Sequence, residues 1–335
     1  MNALFQIRKI MLYLFFLMLL QKCTGDAPRE NPLDPKSKIY SDTGYIRGQV
    51  FNFYAPFTPL GNAKIRVDSP LIIAVNTSND GAFEISDLPS GQYQLIADKT
   101  GYASDSLIAT VAPRNATDIT FHLNALPVAQ TFSVTSIHIS EWAPVRDVYR
   151  LFIKATVTDL DGVGDIDSVT VWIPRLSFET IAEPTNSTGV YETTINESDL
   201  PGKNIQFLVG QDIFLRIKDQ AGASIQSLPG RLSRIISTTP APNSPVGRAI
   251  VTEPNPTLKW RHSPPAFAFS YRVNVFRYEA NDVADIWQSN NISASDTSVT
   301  VSYNFIEGDY GWTVSIFDDF GNISRSKPAA FRIMK

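Results

Sequence analysis

Tyr149-Arg-Leu-Phe-Ile-Lys-Ala-Thr-Val-Thr158 decides the fold class. Tyr149, Leu151, Ile153, Ala155 and Val157 alternate with Arg150, Phe152, Lys154, Thr156 and Thr158, with Phe152 the one ring on the polar side. A period of two is that of a strand buried on one face. The run enters Asp159-Leu-Asp161-Gly162-Val-Gly-Asp165-Ile-Asp167, and a second strand follows through Val169, Val171 and Ile173.

Outward from this stretch the same alternation recurs. Ile46, Gly48 and Val50, then Ala63, Ile65 and Val67, then Phe83 and Ile85 read as half-buried strands, as do Ile213, Leu215 and Ile217. Ser78-Asn-Asp-Gly81 and Leu88-Pro-Ser-Gly91 supply turn chemistry between them. Long amphipathic helical periodicity is absent. Short alternating runs broken by turn residues every 8–12 residues or so predict an all-β chain of tandem β-sandwiches. The 20 Phe, 12 Tyr and 5 Trp supply core material for them. A single cysteine rules out an intrachain disulfide, so cores rather than bridges must hold the domains. The net charge of -4, with both signs mixed, leaves no basic footprint for nucleic acid.

The start of the chain carries an address. Arg8 and Lys9 precede an apolar run from Ile10 to Leu20, the order of a secretory signal peptide, expected over residues 1–22. The run is shorter than the ~20 apolar residues a spanning helix needs. Cys23 follows directly and resembles the lipidated cysteine of bacterial lipoproteins. Leu20 fits that pattern, whereas Gln21 and Lys22 depart from its small residues, so cleavage by an ordinary signal peptidase and an uncleaved anchor stay open beside lipidation. Residues 23–42, proline-rich and polar, read as a lipidated tether. Asn31-Pro-Leu-Asp-Pro35 is similar to the start of mature lipoproteins from Bacteroidetes-like bacteria. The expectation is export and lipid anchoring at the outer membrane, with the membrane as a partner through the anchor.

Three modules follow. In residues 43–124 the order Gly48-x-Val50, Gly61-Asn-Ala63-x-Ile65-x-Val67, Asn79-Asp80-Gly81-x-Phe83-x-Ile85, Leu88-Pro89-x-Gly91-x-Tyr93-x-Leu95 and Gly101-Tyr102 resembles the carboxypeptidase regulatory-like domain. The resemblance implies a transthyretin-like sandwich among carbohydrate-binding-like folds, without a zinc ligand. Residues 129–237 resemble bacterial immunoglobulin-like domains through the 159–167 strand connection. Thr238-Thr-Pro-Ala-Pro-Asn-Ser-Pro245 reads as a linker. Beyond it, residues 238–335 place Trp260, Tyr271 and Tyr310 as the fibronectin type III pattern does, the last implying a tyrosine corner. Val157-x-Asp159-x-x-Gly162, Ile217-x-Asp219-x-x-Gly222 and Ile316-x-Asp318-x-x-Gly321 form an internal echo, by duplication or by convergent turn chemistry.

Candidate chemistry is sparse. Asp159, Asp161, Asp165 and Asp167 bring four carboxylates within nine residues, the oxygen donors a calcium ion takes. The spacing departs from an EF-hand, with Val163 at the third ligand position and Thr170 where a bidentate Glu belongs. A solvated turn is the alternative reading, and no other cofactor is expected. Tyr54 and Phe57, in Phe51-Asn-Phe-Tyr-Ala-Pro-Phe57, could stack on sugar faces or cap the first core. His122, His138 and His262 are the only imidazoles, the first two expected to point outward from strands, and no nucleophile–base motif accompanies them. The expected function is therefore a non-catalytic cell-envelope lipoprotein, a tethered binding, adhesion or spacer module with a protein or glycan ligand. The alternative is a carbohydrate-binding accessory protein of a polysaccharide-handling or secretion system.

Overall fold

The computed structural model describes residues 42–68, 73–142, 144–279 and 282–334, with Met11, Asn31, Asp34, Lys36, Ser37, Ile39 and Tyr40. Cys23 and nearly all of the leader and tether lie outside the described residues. Among the described residues from Thr43 onward, helical structure is confined to short 3-10 turns. No described helix is long and apolar enough to cross a membrane. The chain is all-β, and it divides into two compact units, residues 1–100 with 104–123, and residues 101–103 with 124–335.

The first unit is built from β1 (Thr43–Asn52), β2 (Lys64–Asp68), β3 (Ile73–Asn76), β4 (Ala82–Pro89), β5 (Gly91–Asp98), β6 (Asp105–Val111) and β7 (Ala116–Leu123). They form two sheets, β4-β1-β7 and β3-β2-β5-β6. Alternation sends Ile46, Val50, Phe83, Ile85 and Phe121 inward from one sheet and Ile65, Val67, Leu95 and Ala97 from the other, all buried. β1 pairs antiparallel with β4 but parallel with β7, from Tyr45 opposite Ala116 to Asn52 opposite Leu123. Gly48 is required there: a Cβ would strike the Ile119 carbonyl oxygen and come within 2.9 Å of the Phe83 ring.

The second unit holds two hydrophobic cores. The earlier one comes from β8 (Val128–Glu141), β9 (Arg146–Thr158), β10 (Ile166–Ile173), β11 (Phe178–Ile181), β12 (Glu183–Pro184), β13 (Val190–Asn196), β14 (Asp212–Asp219), β15 (Ser224–Gln226) and β16 (Gly230–Arg231). Leu151, Ile153, Ala155 and Val157 of β9 face Val169 and Val171 of β10 and Ile213, Leu215 and Ile217 of β14 in one cluster. The later core comes from β17 (Ala241–Ser244), β18 (Ala249–Val251), β19 (Thr257–Arg261), β20 (Phe269–Tyr278), β21 (Val283–Ile292), β22 (Ser298–Thr300), β23 (Gly308–Asp318), β24 (Ile323–Arg325) and β25 (Ala329–Ile333). One sheet runs β17-β19-β22, and β20, β21, β23 and β25 lie in the other. Trp260, Tyr271, Tyr310, Trp312 and Phe331 fill the space between. Tyr310 Oη donates to the Ile306 carbonyl at 2.9 Å, the tyrosine corner its position implied.

Two sequence expectations change. The stretch read as a linker, 238–245, supplies β17, an edge strand with Pro242 opposite Trp260, an edge being where a sheet tolerates a proline. The two cores also share one sheet, because β24 pairs parallel with β8 through Ile323–Ile137, Ser324–His138 and Arg325–Ile139. His138, which the alternation had placed outward, is buried on a face that residues 234–238 cover, their carbonyls meeting Ser136, His138 and Ser324. It is 1 % exposed, stacks on Tyr149 at 4.3 Å and holds the Ile236 carbonyl and Ser324 hydroxyl at 2.9 and 3.1 Å through Nδ1.

Candidate functional site

The internal echo is one turn used three times. Asp159 follows β9, while Asp219 and Asp318 end β14 and β23. In each case the glycine three residues on returns its N–H to the aspartate carbonyl, at 3.1, 3.3 and 3.1 Å. Gly162, Gly222 and Gly321 take φ of 111°, 99° and 84°, which a side chain disfavours. The aspartate side chain then caps the turn. Asp159 Oδ1 accepts from Asp161 N at 2.8 Å, and Asp219 Oδ1 from Ala223 N at 2.7 Å. Asp318 Oδ1 accepts from Phe320 N and Asn322 N at 3.0 and 2.8 Å.

What surrounds each turn differs. At the first, the carboxylates of Asp159, Asp161 and Asp165 place one ligand oxygen each within 4.8 Å of one another. A 3-10 turn at Val163–Asp165 carries the third residue inward, and Asp165 is buried. Asp167 leaves the group: it is exposed and pairs with Lys218 at 3.4 Å. Burial, then the charge of neighbouring carboxylates, pushes Asp159 and Asp161 above the usual carboxylate range. Burial and the same two residues raise the Tyr102 phenol.

Two members of this neighbourhood were invisible in the local sequence. The register of β10 on β14 sets Ile166 opposite Asp219, so a wholly buried carboxylate from 54 residues past Asp165 adds its charge. Asn124, 9 % exposed, donates from Nδ2 to Asp219 Oδ2 at 2.7 Å, while the next amide, Ala125 N, donates to Asp161 Oδ2 at 2.8 Å. Asn124 Oδ1 and Asp159 Oδ2 are buried without a hydrogen-bond partner. The Asp-x-x-Gly echo was the signal that could have linked residues 159 and 219.

The aromatic loop lies elsewhere, in the first unit. Phe57 is 53 % exposed and meets the His122 ring edge-on at 4.7 Å, while Tyr54 is half-buried against Phe53 at 5.1 Å. Leu60 is the residue of this segment that enters the core. His122 also stacks on Phe51 and contacts the Asn52 carbonyl at 3.3 Å, and His262 Nδ1 meets Tyr271 Oη at 3.2 Å.

A third feature, absent from the sequence expectations, is a cleft of about 610 Å³ in the second unit. Trp142 and Tyr278, both largely exposed, stand on it with Pro240, Pro242, Arg248 and Lys327. Trp142 Nε1 donates to the Pro328 carbonyl at 2.5 Å, and Lys327 Nζ lies 5.8 Å from the indole centroid. Trp142, the 240–248 segment, Tyr278 and Lys327 come from four separate stretches of the sequence. An exposed tryptophan just past the end of β8 was the one sequence clue.

Asn322-Ile-Ser324 has the Asn-x-Ser pattern of a glycosylation acceptor, and it is closed to modification. Asn322 is fully buried, accepting from Ser136 N at 2.8 Å and donating to Asp318 Oδ2 and Ser233 Oγ at 2.9 and 3.0 Å.

No curated protein sequence matches this chain. Among solved structures, the major pilin subunit BcpA of Bacillus cereus aligns at 10% identity over 88% of this chain and 96% of its own, with a TM-score of 0.28. The FN1–FN3 domains of chicken CNTN1 align at 13% identity over 83% and 94%, with a TM-score of 0.28. A putative carbohydrate binding protein from Bacteroides uniformis aligns at 11% over 53% and 89%, with a TM-score of 0.24. At such scores no function is carried across. Residues 45–124, the strands of the first sandwich, match the family model of the carboxypeptidase regulatory-like domain.

Proposed function

We propose that this protein is an exported, non-catalytic binding or adhesion module of the bacterial cell envelope, anchored by a lipid on Cys23 and held off the membrane by residues 23–42. One observation carries the reading: the clustered apolar side chains fill sandwich interiors, while Phe57, Trp142 and Tyr278 stay exposed on loops and strand ends. Exposed rings in such places are what a partner uses as anchors. Labelling with radioactive palmitate and membrane fractionation test the anchor. Wild type should carry label and sediment with outer membranes, and Cys23→Ala should lose both. An unlabelled, soluble wild type overturns the anchoring.

The Trp142–Tyr278 cleft favours a second reading, a glycan-binding accessory protein, since ring faces offer flat apolar platforms to sugars. Retention on insoluble polysaccharide would be compared between wild type, Trp142→Ala with Tyr278→Ala, and Tyr54→Ala with Phe57→Ala. Loss in the first pair is expected. No retention of wild type, or full retention in both pairs, removes this reading.

A further inference from the structure

We propose that Asp159, Asp161, Asp165 and the side-chain carbonyl of Asn124 form a calcium site, with Asp167 outside it. The donors are all oxygen, with neither imidazole nor thiolate, a set that selects hard cations over zinc or copper. Among hard cations, calcium accepts an irregular set of protein oxygens, whereas magnesium demands a near-ideal octahedron and keeps several waters. One oxygen from each of the three carboxylates lies within 4.8 Å of the others, so a single ion can be shared.

Acidic clusters are common, and this one is singled out by what its oxygens lack. Asp159 Oδ1 and Asp161 Oδ2 are each fixed by a backbone N–H, from Asp161 and Ala125, which leaves the other oxygen of each carboxylate for a ligand. Asp159 Oδ2 is buried without a partner. Independently, Asn124 is nine-tenths buried, its side-chain NH2 donating to Asp219 while the next backbone N–H, that of Ala125, donates to Asp161. Its Oδ1 is likewise a buried acceptor with no donor. Buried polar atoms are nearly always satisfied, and two orphaned acceptors, one on Asp159 and one on the Asn124 side chain that Asp219 holds, call for a cation. Among the described residues, no Lys, Arg or His forms an ion pair with Asp159, Asp161 or Asp219. Asp219 has both oxygens occupied, by Ala223 N and Asn124 Nδ2, so it contributes field and holds Asn124 rather than ligating. Water or main-chain carbonyls complete the six to eight oxygens a calcium ion takes.

The test titrates calcium into the chelator-treated, detergent-solubilised full chain by calorimetry, and follows the thermal midpoint in calcium and in EDTA. One ion per chain should bind, with a dissociation constant near the ~10⁻⁴–10⁻³ M of extracellular modules, and the midpoint should rise by about 3–6 °C at tenfold excess over that constant. Asp161→Asn should abolish binding. Its midpoint in EDTA should equal or exceed that of wild type, because the amide oxygen still accepts from Ala125 N and one repulsive charge is gone, so failure to fold is recognised there. Asp167→Asn should bind within twofold of wild type. No heat and no midpoint shift at 10 mM calcium would overturn the site, as would equal binding of magnesium or an Asp167→Asn loss matching that of Asp161→Asn.

Discussion

The turn at Asp318 and the turn at Asp159 have the same sequence pattern and the same backbone closure, and opposite electrostatics. Around Asp318 the carboxylate accepts from two backbone amides and the Asn322 side chain, and Arg234 Nε stands at 3.5 Å. Arg234 also lies over the Phe267 and Phe320 rings, at 4.4 and 4.8 Å. Both oxygens have donors and the charge has a counter-ion. Around Asp159 one oxygen is capped, the other is bare, and the nearby charges named with it are carboxylates. A buried carboxylate saturated by its own protein is a structural part, because removing it strands several donors. A carboxylate left short among others carries a charge that a proton or a cation can neutralise.

The contrast breaks most readily at Asp318. Asp318→Ala should cost about 3 kcal/mol, since it leaves Asn322 N, Phe320 N and one N–H of the Asn322 side chain without acceptors and removes the partner of Arg234. Urea unfolding measures it. A loss under about 1 kcal/mol would mean that water replaces the carboxylate, and that the saturation seen at Asp318 has little energetic meaning.

Glycine substitution tests the half of the comparison that should be identical. The turns share a positive φ, so Gly162→Ala and Gly222→Ala should each cost about 1–2 kcal/mol in EDTA. A Cβ meets nothing within 4 Å at either. Gly321→Ala adds a contact at 3.3 Å with Thr135 Cγ2 and should cost a few tenths more. Costs that differ more than twofold between Gly162 and Gly222 would show that the turns are alike only in outline.

Asp159→Asn sharpens the other half. In EDTA the asparagine removes a repelled, partly buried charge and keeps an acceptor for Asp161 N, so stability should rise by up to about 0.5 kcal/mol. The sign follows from the raised carboxyl: its folded-state pKa lies above the unfolded one, so in the cation-free protein stability is full at low pH and falls as pH climbs through the folded value. A destabilised variant in EDTA would place Asp159 with Asp318, as a structural carboxylate.

Much of this architecture was legible because alternation reports which side chains a strand buries. Leu151, Ile153, Ala155 and Val157 read inward and are fully buried, and Tyr310 makes the corner that its position implied. Alternation says nothing about which strand lies beside another. The parallel pairings β1–β7 and β8–β24 join segments about 70 and 186 residues apart, and no local pattern encodes them. Nor does alternation say what covers a strand's polar face, and His138 was misplaced because residues 234–238 lie over that face, the Ile236 carbonyl meeting its Nδ1. The acidic site was half legible on the same grounds. Its loop residues announced themselves by composition, while Asn124 and Asp219 arrive through register, and Asp167 leaves through an ion pair with a neighbouring strand. The Trp142–Tyr278 cleft is assembled wholly from distant segments.

The smallest effect is expected where a carboxylate is satisfied at the surface. Asp98, at the end of β5, accepts from the Ser104 hydroxyl and from Arg66 at 2.6 Å, and these bonds, the hydroxyl first, hold it below the usual carboxylate range. Here the linkage runs opposite to that at Asp159. The folded-state value lies below the unfolded one, so the contribution is present above the unfolded pKa and is lost as pH falls through the folded value. The side chain is 30% exposed and Arg66 46%, so water screens the pair and the contribution is a few tenths of a kcal/mol. Ser104→Ala should therefore lower stability at pH 7 by that amount and flatten its decline on acidification, while leaving stability near pH 2 unchanged. Carboxyl chemical shifts followed through a pH titration would show the Asp98 value moving up toward the ordinary range. If it stayed depressed, Arg66 alone would account for the shift, and donor saturation, which separates Asp318 from Asp159 in the interior, would have no measurable counterpart at the surface.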